Sequence, residues 1–354
     1  MAVEQVATAH YRRRTALARR VAGELARLWR QVDRQAIGPS WASALPAAVE
    51  ILGVGQALAA AEAEVYVDDV AAASRIAVSP AGRVVAQSLA GVASDGRDLA
   101  GLLYQPAITA LTAIGQGATV PRALAGGRLS LDMIARTQIA DAGRAADGLA
   151  VVARPELSGY VRMLVGGSCS RCVILAGRRY RWNAGFPRHP RCDCIHVPAR
   201  EDTADDIRTD PMAYFGSLSK AEQDKAFTSA GAQAIRDGAD IHQVVNARRG
   251  AYGLTPAGAR LTADEARTLR NGLDRGTLQT RDVFGRQLYT TNEGVTTRGI
   301  AGVRLGAKET GTKRAGQRYR SAKGVRLMPE SIYQIAGNDR QEALRLLRRF
   351  GYIL

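Results

Sequence analysis

Apolar residues in the first third of the chain recur with the period of a helix. Leu17, Val21, Leu25 and Leu28 stand four, four and three residues apart, and so share one helix face. Arg12, Arg13, Arg14, Arg19, Arg20, Arg27 and Arg30 surround that stripe. Residues 3–35 therefore read as one amphipathic helix, stopped by Gly38-Pro39-Ser40. A second helix is predicted over about 43–74, with Ser43 as its cap and Pro46 in its first turn, although Gly53 and Gly55 weaken its middle. Ser79-Pro80 has the form of an N-cap followed by a first-turn proline, and predicts a helix to about Ala93. A further helix over 99–114 should break or bend at Pro106. Ser130 is expected to cap the next one, Leu131 to about Ala146, with Asp132 near its positive end.

The pattern changes at Gly148. Residues 160–165 are short and β-rich and read as a strand, followed by a Gly166-Gly167 turn. Helix returns over 211–249, with Ser217 or Ser219 as candidate caps. The last hundred residues mix turns, short strands and loops. Asn338-Asp339 then caps an Arg/Leu helix that stops at Gly351. The expected class is α+β, predominantly α. Its segments are a helical N-terminal region (1–147), a small Cys/His-knuckle α+β module (148–250) and a basic mixed C-terminal region (251–354). Hydrophobic residues make up 46% of the chain but aromatics 5%, so aliphatic side chains must fill the core.

The net charge of +16 predicts attraction to polyanions, chiefly nucleic acid. The excess is uneven. Residues 241–354 hold 21 Lys and Arg against 9 Asp and Glu, a balance of +12. Within 303–326, Arg304, Lys308, Lys313, Arg314, Arg318, Arg320, Lys323 and Arg326 face a single acid, Glu309. These eight are the candidate phosphate contacts, and they would bind double-stranded DNA without reading its sequence. The stretch MAVEQVATAHYRRRT has no apolar signal region, and no run approaches the ~20 apolar residues that cross a bilayer. Assembly in the cytoplasm, with no membrane partner and with reduced cysteines, is the expectation.

All four cysteines fall in CSRCVILAGRRYRWNAGFPRHPRCDC, residues 169–194. Cys169 and Cys172 form C-x-x-C, Cys192 and Cys194 form C-x-C, and His189 stands three residues before Cys192. C-x-x-C lets two thiolates reach one ion from a tight turn, and a second pair can close a tetrahedral shell, which suits structural zinc. Five candidates compete for four places: Cys169, Cys172 and His189 are preferred, with either Cys192 or Cys194 as the fourth. The alternative is buried thiols, or disulfides formed late.

Catalytic patterns are thin. No H-x-E precedes a P-C-x-x-C, as a zinc deaminase would need. Neither a G-x-S-x-G elbow nor a G-x-x-x-x-G-K-[ST] phosphate loop occurs. His10, on an arginine-rich helix, and His242, beside Asp240, read as solvated or capping histidines rather than bases. No catalytic residue is assigned.

Residues 131–198 resemble the phage Mu F-like head-morphogenesis family, in its actinobacteriophage branch. The likeness rests on IARTQIADAGRAA (134–146), SCSRCVILAGRRY (168–180) and RHPRCDC (188–194). Gln138 stands where that family usually has Glu. Residues 215–250 and the closing RLMPESIYQIAGNDRQEALRLLRRFGYIL are similar as well. The resemblance implies a minor capsid protein in the virion, at or inside the portal vertex, contacting portal and coat or scaffold subunits and DNA. An alternative under the same likeness is a capsid maturation protease, and the Cys/His knuckle with a basic surface leaves a zinc-knuckle nuclease as another, in host-cell cytoplasm or virion alike.

Overall fold

The computed structural model describes residues 2–165, 167–184, 194–204, 209–248, 278–283, 286–291, 295, 299–306, 308–309, 322–323 and 326–353. Of the expected site residues, His189, Cys192, Lys313, Arg314, Arg318 and Arg320 lie outside these. The described chain is predominantly helical with small antiparallel sheets, as its patterning predicts. It divides into two compact units. The first comprises Met1–Gly166 and Ala176–Thr209, the second Gly167–Leu175 and Asp210–Leu354.

The first unit is built on helices α1 (Val3–Trp29), α2 (Ile37–Ala61), α3 (Ala63–Ala73), α4 (Leu99–Gly115) and α5 (Val120–Val152). Helix α1 forms where the apolar stripe predicts it: Leu17, Val21 and Leu25 are buried, and Leu28 packs against them from the margin. Two indoles tie this layer together. Trp29 Nε1 donates to the Leu124 carbonyl at 3.0 Å, and Trp41 Nε1 to that of Leu103 at 2.8 Å. The two rings meet edge to face, 4.9 Å between centroids.

Four local expectations are corrected. Helix α2 starts at Ile37, so Pro39 falls in its first turn and Ser43 lies inside, donating back to the Pro39 carbonyl at 3.1 Å. Residues 79–85 form no helix, and a short 3-10 turn, Ala86–Leu89, follows them. The Ser79 and Val84 N–H groups are taken by Glu156 and Glu64 side chains, at 3.1 and 2.8 Å, instead of by a helical ladder. Helix α4 runs unbroken through Pro106. Helix α5 begins ten residues before Ser130, with Pro121 in its first turn, and continues for 33 residues.

By length and composition alone Ile37–Ala73 would pass for a membrane-crossing stretch. In this fold its Trp41, Leu52, Ala59, Tyr66 and Val67 are buried in the unit's core.

Against α3 and α5 lies a three-stranded antiparallel sheet, ordered β2 (Arg179–Arg181), β1 (Gly159–Met163), β3 (Ile195–Ala199). Tyr160 pairs with Tyr180 on one side and Pro198 on the other. A Cβ on Gly159 would stand 2.0 Å from the Tyr180 carbonyl oxygen, so this strand contact requires glycine.

The second unit holds α6 (Ser170–Val173), α7 (Pro211–Ser217), α8 (Lys220–Phe227), α9 (Ser229–Arg236) and α10 (Ile241–Ala247). Strands β4 (Leu278–Val283), β5 (Arg286–Thr291) and β8 (Arg326–Leu327) form a second antiparallel sheet. A two-stranded ribbon, β6 (Lys308–Glu309) with β7 (Ala322–Lys323), is separate from it. Helices α11 (Ile300–Arg304), α12 (Pro329–Ala336) and α13 (Arg340–Arg349) complete it. Ser219 caps α8 in a reciprocal box with Glu222, and Asp339 caps α13 by accepting from Glu342 N at 3.0 Å.

Candidate functional site

The cysteine stretch is placed in part. Cys169 precedes α6 and Cys172 lies within it, their sulfurs 3.6 Å apart. Cys194 belongs to the first unit, where it is buried with its sulfur 3.5 Å from Arg162 Nη1. Among the described residues no three His, Cys, Asp or Glu side chains gather around one point that could hold a metal ion.

The basic residues of the last third divide by what they touch. Arg304 is exposed, yet its guanidinium donates to the carbonyls of Arg348 and Ile353 near the end of α13. The Arg348 carbonyl lies in the last turn of α13 and also accepts from Gly351 N at 3.0 Å, so Arg304 adds to the C-terminal cap of that helix. Arg326, expected among the phosphate contacts, is fully buried, and this corrects the reading. Its Nη1 and Nη2 donate to the side chain and the carbonyl of Gln243, at 3.1 and 3.0 Å. The guanidinium lies over the Tyr352 ring, 4.5 Å from its centroid. Lys308 and Lys323 stand opposite each other in the β6–β7 register.

A polar cluster that the sequence reading passed over lies in the first unit. His10 and Arg14, on α1, are both buried. Their signal is visible in the spacing: positions 10, 14 and 17 continue the apolar stripe of α1 towards its N-terminus. His10, read from sequence as solvated or capping, is instead enclosed at 0% exposure. Its ring stacks on Tyr66 of α3 at 3.9 Å. Its Nε2 lies 3.4 Å from Asp147 of α5, and its Nδ1 3.4 Å from Glu62 at the α2–α3 joint. Arg14 grips Asp147 through two donor contacts of 2.9 and 2.8 Å and also contacts the His10 ring. Gly143 gives that guanidinium its room, since a Cβ there would stand 2.4 Å from Arg14 Nε.

Electrostatics explain why such a cluster holds. Burial alone would raise the Asp147 pKa, but the charge of Arg14 and the bond to His10 outweigh it and hold the carboxyl at about 2. Glu62 is lowered chiefly by its bond to His10, with Arg13 helping. Tyr66 is raised by burial and by Asp147, and its hydroxyl donates to the His196 carbonyl at 2.6 Å. His196, on β3, stacks on Tyr160 at 4.5 Å. Burial pushes its pKa down to about 3. Asp147 opposes that shift, while Arg144, Arg14 and Arg162 add to it.

Next to this cluster, Gln138 fixes the loop that precedes α4. Its amide oxygen accepts from Ser94 N at 2.8 Å and its amide nitrogen donates to Ser94 Oγ at 3.1 Å. Gln56 holds the same loop at Gly91 and Val92, with both bonds 2.9 Å long. Ionised glutamate at position 138 would lose the donor half of that pair. Charged contacts join α1 to α5 and to the α2–α3 joint, and the Tyr66 hydroxyl ties α3 to β3, a geometry that fixes elements in place.

Comparison with curated proteins and with solved structures gives no match. The model of the VG15 protein family does match, over residues 1–221, and that span takes in the whole helical bundle, the β2-β1-β3 sheet and the buried charge cluster. The phage origin implied by the family resemblance is thereby supported at the level of a phage protein, and the chain belongs to the VG15 protein family, a family of phage proteins.

Proposed function

We propose that this phage protein is a minor structural component of the head, placed close to the packaged genome, which it touches without sequence readout. The observation that carries the reading is the concentration of charge: a balance of +12 within residues 241–354 of a phage-encoded chain. Such a segment releases counterions from DNA whatever the sequence. The first unit suits a partner-facing scaffold, since the buried Arg14–Asp147 pair fixes α1 on α5. The likeness to Mu F-like head proteins points to portal and coat or scaffold subunits as its protein neighbours.

The test is DNA binding by the full-length protein, followed by fluorescence anisotropy on two duplexes of unrelated sequence. Equal affinity for both is expected. The affinity should fall with rising salt on a log–log slope of about −0.9 per neutralised phosphate. No binding at about 50 mM salt, or a marked preference for one duplex, would overturn the reading.

A further inference from the structure

One face of the α2–α3 helix pair stays uncovered among the described residues. Ile37–Ala73 is apolar along its length, yet 33% of its most apolar window is buried. A helix apolar on both faces is expected to be covered on both. The inner face is accounted for, since Trp41, Leu52, Ala59 and Tyr66 lie in the core. The outer face carries Ala47, Ile51, Val54, Leu58, Ala61 and Val65, at steps of 4, 3, 4, 3 and 4 residues. Those steps are the heptad seam of a coiled coil, which packs against another helix. Val54 is 55% exposed, Leu58 52% and Val65 62%. Ala47 and Ala61 are exposed as well, and Ile51 is half-buried. Glu62 keeps helical backbone angles, so the seam passes through the α2–α3 joint.

Beside the seam lies a groove of about 390 Å³ between α1 and α2, with Leu17, Val21 and Gly55 in its buried lining. Ridge and groove share one surface, because Ile51, Val54 and Leu58 line the groove as well. Such a surface is complementary to itself: a two-fold axis seats the ridge of each copy in the groove of the other. The charges on the rim select the same occupant. Arg20 on α1 and Glu50 on α2 both line the groove and are exposed, and neither has an ion-pair partner among the described residues. Glu24, also on the rim, lies 3.9 Å from Arg27 of its own helix. A bilayer would have to strip water from these charges, whereas a second copy brings the opposite sign to each.

We propose that this face binds a second copy of the chain. The two α2 helices pair antiparallel about a two-fold axis, and Glu50 of each copy faces Arg20 of the other. The dimer needs no DNA, so it stands or falls apart from the DNA reading.

Sedimentation equilibrium of the full-length protein without DNA tests it. The wild type should be a dimer at micromolar concentration. Val54→Glu combined with Leu58→Glu alters exposed positions, and should give a monomer with an unchanged far-ultraviolet circular dichroism spectrum. Arg20→Glu and Glu50→Arg should each weaken dimerisation about tenfold, because like charges then face each other twice. Mixed in equal amounts, these two variants should pair again, since every contact regains opposite signs. The proposal fails if the wild type is a monomer at about 100 µM. In that case binding of the monomer to phosphatidylcholine vesicles, lost in the Val54→Glu, Leu58→Glu protein, would assign the face to a membrane instead. The proposal fails also if the Val54→Glu, Leu58→Glu protein remains a dimer, or if the mixture stays as dissociated as its two components.

Discussion

His196 is a buried imidazole set among arginines, and its charge state links the fold to pH. In the folded chain its pKa is pushed down to about 3 by burial, with Arg144, Arg14 and Arg162 adding to the shift. The unfolded chain releases it to the ordinary value of about 6.5. Below that pH the unfolded state binds a proton that the folded state refuses. The contribution of His196 is therefore complete above about pH 6.5 and declines as pH falls towards 3. Between pH 6.5 and 5 the loss should be about 2 kcal/mol. Urea unfolding at pH 7 and pH 5 checks this. The wild type should lose more stability over that interval than His196→Gln does, and equal losses in the two proteins would remove His196 as the cause. Asp147 acts in a lower window: its depressed pKa of about 2 gives stability that is present above about 3.8 and disappears in stronger acid.

At the scale of elements, α5 organises the first unit, because it packs on α1, α2, α3 and α4 at once. It does so through small residues placed at the crossings. A Cβ on Gly127 would stand 2.4 Å from the Trp29 ring and 2.8 Å from the Pro106 carbonyl oxygen. Gly127→Ala raises intrinsic helix propensity by about 1 kcal/mol, so an isolated helix would gain from it. Here the indole is pinned by its bond to Leu124, and overpacking should win, with a net loss of roughly 1–3 kcal/mol. A higher melting temperature for the alanine variant would show that the crossing is looser than its geometry implies. These same residues explain what the sequence hid. The stripe Leu17, Val21, Leu25 was legible because burial follows the helical period. The start of α5 was not, because Gly126, Gly127 and Ser130 look like breakers until their packing partners are known. His10 and Arg14 continued the stripe, but their charge argued for solvent; Asp147, 133 residues further on than Arg14, supplies the compensation that makes burial possible. The missing helix after Ser79 is a similar case, since Glu64 and Glu156 reach it from distant positions and take the N–H groups its cap would have organised.

Across the whole molecule the charge is sorted by role, and this gives the DNA reading its sharpest test. Several cations of the first unit are consumed internally: Arg14 on Asp147, Arg154 on Asp68 and Arg144 on Asp141. Two of the eight basic residues between 304 and 326 are committed in the same way: Arg326 to Gln243 and Tyr352, Arg304 to the carbonyls near the end of α13. A contact reading that treated all eight alike would expect equal losses of DNA affinity from each. The fold predicts otherwise. Neutralising Arg314, Arg318 and Arg320 together, as glutamines, should weaken binding equally on unrelated duplexes. It should flatten the salt slope by about one unit per lost phosphate contact. Arg326→Gln should do the reverse, lowering the melting temperature and leaving the slope of the remaining folded protein intact, because a buried guanidinium neutralises no phosphate. If Arg326→Gln flattened the slope as the triple variant does, the separation of structural from DNA-facing arginines would be wrong, and the C-terminal third would have to open before it meets DNA.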